Sequence, residues 1–152
     1  VTCSGMARQQ SVIVEPQLLD VSGGAVLFGD AELLRVMVDN LIRNAIRFSP
    51  SQGCVNISVE SDPSQWIVRV RDSGPGIPEE IMGTLFDRFT QAPTEHVRGR
   101  GFGLGLSIAQ GIAELHAGSI SVRNTDPGCE FVITLPRATQ LTIESSAVSS
   151  AI

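Results

Sequence analysis

DAELLRVMVDNLIRNAIRFSP, Asp30 to Pro50, has the marks of one long helix with a polar stripe. Asp30 is suited to cap a helix, because its carboxylate can accept the free backbone N–H groups of a first turn. Pro50 cannot continue a helix and pushes Ser49 out of helical geometry, so the helix is expected to end there. At about 100° per residue, Leu34, Val38, Leu41, Ile42, Ala45 and Ile46 fall on one broad arc. Asn40, Asn44 and Arg47 gather on the opposite side, with Leu33 and Met37 beside them. Lys and Glu are the usual occupants of a solvated face. Two amides at i, i+4 beside a guanidinium suit either such a face or a polar ligand.

Upstream of this helix, Val1 to Gln10 is polar with little pattern and reads as a link from a preceding region. The β-branched run Ser11 to Glu15, closed by Pro16, predicts a first strand. Val26-Leu27-Phe28, entered through Gly23-Gly24 and ended by Gly29, predicts a short second one. Downstream, Val55, Ile57 and Val59 alternate with Asn56, Ser58 and Glu60, and Asp62-Pro63-Ser64 supplies turn chemistry. The return strand puts Trp66, Val68 and Val70 on one face. The same alternation carries Asp72 onto that face, where a buried carboxylate needs a partner. Within DSGPG, Asp72 also suits a plain turn or cap.

Pro78 starts a short helix expected over Glu79 to Leu85. Thr90 to Arg100 has no periodicity and reads as a surface loop or as a lid over a ligand. A second amphipathic helix is expected from Leu104 to His116, with Gly118 as its C-terminal signal. Ile120 and Val122, then Phe131, Ile133 and Leu135, alternate as a final hairpin around the Asn124 to Gly128 turn. From Arg137 the tail is polar and Ser-rich. The order of elements predicts an α+β chain, a two-layer sandwich whose mixed sheet is covered on one face by helices.

At 152 residues with 42% hydrophobic content, the chain is one domain with material for a proper core. A net charge of −5 and a pI near 4.9 argue against a nucleic-acid binder or a polybasic membrane-surface protein. No apolar run approaches the roughly 18 residues that cross a bilayer. Cys3, Cys54 and Cys129 are odd in number and widely spaced. They form neither a disulfide framework nor a metal-ligand pattern, and they fit a reduced compartment. The chain opens on Val1 rather than Met, as expected of a piece excised from a longer protein.

Four blocks stand in order along the chain: NLIRNAIRFS (Asn40 to Ser49), DSGPGIP (Asp72 to Pro78), LFDRF (Leu85 to Phe89) and GRGFGLGLSI (Gly99 to Ile108). With these blocks the chain, over roughly Val12 to Pro136, resembles the ATP-binding catalytic domain of bacterial sensor histidine kinases. The blocks correspond to that family's N, G1, F and G2 boxes. The resemblance implies a Bergerat-type (GHKL) fold, shared with gyrase, heat-shock-chaperone and mismatch-repair ATPases. It implies three parts: a link over 1–10, an ATP-binding domain over 11–136 with its lid at 90–100, and a polar tail over 137–152.

The resemblance also implies the ligands and the residues that meet them. ATP and Mg²⁺ are the expected cofactors. Asp72 is expected to read the exocyclic amine of adenine, with Gly74, Gly76 and Ile77 alongside the base. Asn44 is expected to bind Mg²⁺, Asn40 and Arg47 to face the phosphates, and Phe48 to pack on the nucleotide. Gly101, Phe102, Gly103, Leu104, Gly105 and Leu106 are expected to form the anion site where the second helix begins, a site for which free N–H groups and the helix dipole are suited. Arg98 and Arg100 read either as triphosphate contacts or as exposed loop arginines with no specific role. Leu85, Phe86 and Phe89 read as apolar anchors, and His96 and His116 as loop and capping residues rather than phosphate acceptors.

Related ATPases and serine-directed kinases carry Glu where this chain has Asn40, an amide that cannot accept a proton. A neutral imidazole needs no base to attack phosphorus. The expected activity is therefore γ-phosphoryl transfer to a histidine on an absent upstream dimerisation domain, in two-component signalling with a downstream response regulator. An ATPase of the same fold or a non-catalytic nucleotide sensor are the alternatives. The isolated domain is expected to be monomeric and cytoplasmic. The full-length protein is expected to be a homodimer in the bacterial inner membrane.

Overall fold

A computed structural model describes residues 3–19, 27–88 and 103–137. Five strands form one mixed sheet in the order β1-β2-β3-β5-β4. These are β1 (Ile13–Leu18), β2 (Cys54–Ser61), β3 (Gln65–Arg71), β4 (Ser119–Asn124) and β5 (Cys129–Pro136). β1 runs parallel to β2, and every other neighbouring pair is antiparallel. The helices are α1 (Cys3–Gln10), α2 (Ala31–Phe48), the single turn α3 (Glu79–Met82) and α4 (Gly105–Leu115).

Asp30 caps α2, its Oδ1 accepting from the backbone N–H groups of Glu32 (2.9 Å) and Leu33 (3.0 Å). Both expected hairpins are present. The turn of the first is held by Asp62, which accepts from Ser64 N, Ser64 Oγ and Gln65 N. Register brings Ile57, Val70, Phe131 and Val122 into one row across four strands. Val70, Phe131 and Ile133 are fully buried there, together with Met37, Leu41, Ala45 and Ile46 of α2 and Ala109, Ile112 and Ala113 of α4. Phe86 meets Phe131 edge-on, with centroids 6.4 Å apart. The other sheet face carries ion pairs between Arg69 and Glu60 and between Arg123 and Glu130. One face is thus covered by helices, as the alternation of the strands requires.

Several elements differ from expectation. Residues 3–10 form a helix whose Ala7 is buried in the core, although the segment is too polar to show a clear apolar stripe. β1 continues through Pro16 to Leu18. It has one neighbour in the sheet, and an edge strand tolerates the donor that proline lacks. Leu27 and Phe28 are not in a strand, and Val26 lies outside the described residues. The helix after Pro78 closes at Met82 rather than Leu85. Met37 belongs to the core and not to the polar stripe. It lies in line with Leu41 and Ala45 at i+4 and i+8, and α4 packs against α2 beside the sheet, so the apolar arc is wider than one sheet-facing stripe.

The C-terminus of α4 also corrects the sequence signal. Ala117 takes the left-handed conformation (φ 54°), while Gly118 N donates to Ala113 O (2.8 Å) and Ala117 N to Glu114 O (3.0 Å). That is a Schellman closure with alanine at the left-handed position. Gly118 is required for another reason: a Cβ there would collide with the Thr134 carbonyl of β5.

Candidate functional site

Asp72 follows β3 directly and is 4% exposed, on the apolar side that the alternation assigned to it. Its backbone N–H donates to Cys129 O (3.0 Å). Its carboxylate is held by three donors: Gly74 N (2.8 Å) and Cys129 N (3.3 Å) on Oδ1, and Cys129 Sγ (3.0 Å) on Oδ2. Burial above all, and the Asp72 carboxylate next, push the Cys129 thiol far up, so it stays an S–H donor. A carboxylate with one oxygen occupied by two backbone donors keeps acceptor capacity mainly on the other.

The loop after Asp72 is shaped by the chain's own backbone. A Cβ on Gly74 would lie 2.7 Å from Phe48 O and 2.9 Å from Asp72 Oδ1, so glycine lets the loop pass the end of α2. Gly76 has φ +80°, a conformation that L side chains rarely adopt. Asn124 binds the next residue twice: Ile77 N donates to its Oδ1 (2.8 Å), and its Nδ2 donates to Ile77 O (2.8 Å). Ser73 Oγ donates to Cys54 O (2.7 Å) and accepts from Cys54 N (3.1 Å), tying the loop to the start of β2.

Asn40, Asn44, Arg47 and Phe48 are half-buried along α2. Gly105, the first residue of α4, lies against the Asn40 side chain, with its Cβ position 3.2 Å from Asn40 Oδ1. Leu104 is the N-cap of α4 and makes no side-chain hydrogen bond to its first turn, whose N–H groups have no helical partner of their own. Gly103 enters with φ +66°. The Arg47 guanidinium sits 5.4 Å from the centroid of the Phe48 ring, and its buried Nε has no hydrogen-bond partner among the described residues.

From Asn40 to Phe48 the helix advances about 12 Å at 1.5 Å per residue. One end of that segment touches the start of α4 and the other touches the Asp72 loop. The expected residues from Asn40 to Phe48, Asp72 to Ile77 and Gly103 to Leu106 are therefore joined around α2. Arg98, Arg100, Gly101, Phe102, His96, Phe89 and the lid at 90–100 lie outside the described residues. His116 is the C-cap of α4, as expected: its Nδ1 donates to Ile112 O (2.8 Å) and its Nε2 accepts from Asp30 N (3.1 Å).

Asn124, Gly128 and Cys129 were missed in the sequence. They read as an ordinary hairpin end, because their partners lie 47 and 57 residues away. A glycine next to a cysteine at the mouth of a buried strand was the one available signal. A Cβ on Gly128 would strike the Asp72 carbonyl.

Residues 29–139 match the family described as histidine kinase-, DNA gyrase B- and HSP90-like ATPase. The chain is 40% identical over 120 residues to the signal transduction histidine-protein kinase AfsQ2 of Streptomyces coelicolor, covering 78% of this chain and 22% of that protein. It is 42% identical over 106 residues to the sensor protein kinase PmrB of Pseudomonas aeruginosa, covering 68% and 22%. The chain thus spans about a fifth of the length of these relatives. Among solved structures it is similar to the mycobacterial sensor histidine kinase MprB, with a TM-score of 0.75 and 27% identity over 88% of this chain and 90% of that one. Full-length ShkA in complex with AMPPNP gives a TM-score of 0.74 at 25% identity, covering 90% of this chain and 28% of that one. The chain belongs to the histidine kinase-, DNA gyrase B- and HSP90-like ATPase family, as an ATP-binding catalytic domain of the sensor histidine kinase type.

Proposed function

We propose that this domain binds Mg-ATP and passes the γ-phosphoryl group to a histidine on a separate helical dimerisation domain, in two-component signalling. The observation that carries the reading is the bridging position of α2, with Phe48 O against Gly74 beside Asp72 and Asn40 against Gly105 at the start of α4. A base reader at one end and helix N–H groups at the other suit a ligand with an amine-bearing base and a polyphosphate. ShkA, the relative solved with AMPPNP, supports the same ligand class here.

Asp72 would accept from the adenine amine on its less occupied oxygen. Asn40 and Arg47 would face phosphate. Among the described residues no cluster of three His, Cys, Asp or Glu side chains forms a metal cage. The donor set instead suits Mg²⁺ carried in by the triphosphate, with the neutral Asn44 oxygen as one ligand and phosphates and water as the rest. When bound, that ion would supply charge neutralisation at the phosphates. With Asn40 in place of a carboxylate, this position has no general base for water, which favours transfer to an imidazole over hydrolysis.

The test is transfer in trans from γ-labelled ATP. The chain alone is expected to remain unlabelled and to release phosphate slowly. Adding the cognate dimerisation-histidine domain should yield acid-labile label on that domain, weakly because no covalent tether raises the effective concentration. Asn44→Ala should abolish the transfer, whereas His116→Gln should leave it intact. Label on His96 or His116 of the isolated chain would overturn the proposal.

A further inference from the structure

We propose that Asn124 is a positioning residue of the nucleotide site. Its side-chain amide is a two-point clamp on Ile77 that fixes the glycine loop relative to Asp72. The inference rests on the proposed role of that loop as the base-binding segment.

The two bonds between Asn124 and Ile77 reproduce what a neighbouring strand would make with one residue: one N–H accepted and one carbonyl bound, each at 2.8 Å. Ile77 itself lies in no strand. Asn124 ends β4 and is paired in register with Cys129 of β5. Cys129 is the residue that grips the Asp72 carboxylate through its N–H and its thiol. One rung of the last hairpin therefore holds both ends of the loop, Asp72 through Cys129 and Ile77 through Asn124. Between them Gly76 stands at φ +80°, with its Cβ position 3.1 Å from Asn124 Oδ1. The asparagine side chain thus lies beside the residue whose backbone is freest to change.

The clamp is solvent-exposed, so water competes for both bonds and their contribution to global stability is small. Its effect is local. A loop released from the clamp spends less time in the one arrangement that meets the base, and apparent affinity falls with that fraction. Asn124→Ala removes both bonds. Asn124→Asp keeps an acceptor for Ile77 N–H but sets a carboxylate oxygen against Ile77 O, so it too should open the clamp.

The experiment titrates the parent chain, Asn124→Ala, Asn124→Asp and Asp72→Asn with Mg-ATP and Mg-ADP. It also follows amide exchange at Ile77 and the thermal midpoint without nucleotide. Asn124→Ala is expected to weaken ATP and ADP by the same factor, roughly 3- to 10-fold, because the clamp acts on the base side of the ligand. Exchange at Ile77 should accelerate while the amides of β5 keep their protection and the midpoint holds. If Asn124→Ala does destabilise the whole sheet, Asn124→Asp is judged by the same criteria. Unchanged affinity in both Asn124 variants, with Asp72→Asn weakened, overturns the clamp and leaves the base-reading assignment standing. A parent that binds neither nucleotide, or an Asp72→Asn that binds as the parent does, overturns both.

Discussion

The buried thiol of Cys129 donates to Asp72 Oδ2 at 3.0 Å. Burial and the neighbouring Asp72 carboxylate raise its pKa, so it remains a donor to Asp72 Oδ2 wherever the chain is folded. In an unfolded chain the same thiol ionises near its ordinary value of about 8.5. The sign follows from linkage: a raised folded value means the stabilisation is complete below the unfolded pKa and is lost as pH rises above it. All eleven basic residues are arginines and there is no tyrosine, so among side chains only the cysteines titrate between pH 8 and 11. Chemical denaturation should show stability falling by roughly 1–2 kcal/mol between pH 8 and 10. Cys129→Ser should remove most of that fall, since its hydroxyl does not ionise in this range and can still donate to Asp72. An unaltered slope in Cys129→Ser would refute the assignment. Cys54, also raised, chiefly by burial, accounts for a smaller share and is tested by the same substitution there.

Among the elements, α2 does the most. Its N-terminus is fixed by the Asp30 carboxylate, while the Asp30 backbone N–H donates to His116 Nε2 at the far end of α4. On the other side of the ring, Nδ1 lies against Ile112 O. Asp30→Ala leaves the backbone contact to His116 available and removes only the cap. It is expected to cost about 1 kcal/mol in urea denaturation, the usual worth of a side-chain cap. A loss near zero would mean that water or a neighbouring group replaces the cap. The helix was legible in the sequence because cap, stop and apolar period are all local. Its polar stripe was legible as chemistry, but Met37 was misplaced because the second packing partner, α4, comes from residues far along the chain. For the same reason α1 escaped notice: Ala7 lies in, and Met6 packs against, a core built mostly from residues far along the chain.

For the whole molecule, sheet order explains how the parts meet. β3 lies in the middle, and the chain leaves it at Asp72 beside β5, whose first residue is Cys129. Strict alternation in β3 was enough to place Asp72 on the buried face. Nothing local could reveal that the last hairpin closes over it, since that depends on β5 pairing with β3 across the sheet. The four ordered sequence blocks identified the family, whereas Asn124, Gly128 and Cys129, which hold the Asp72 block in place, lie beyond the last of them. On the proposed function, this assembly is an adenine-nucleotide site read by Asp72. Calorimetric titration of the parent chain and Asp72→Asn with Mg-ATP and Mg-GTP checks this. The parent is expected to bind Mg-ATP, Asp72→Asn to lose about 1.5–3 kcal/mol, the worth of a hydrogen bond to a charged group, and Mg-GTP to bind poorly because its carbonyl would face a carboxylate. Equal affinity of parent and Asp72→Asn for Mg-ATP, or of the parent for ATP and GTP, would contradict it.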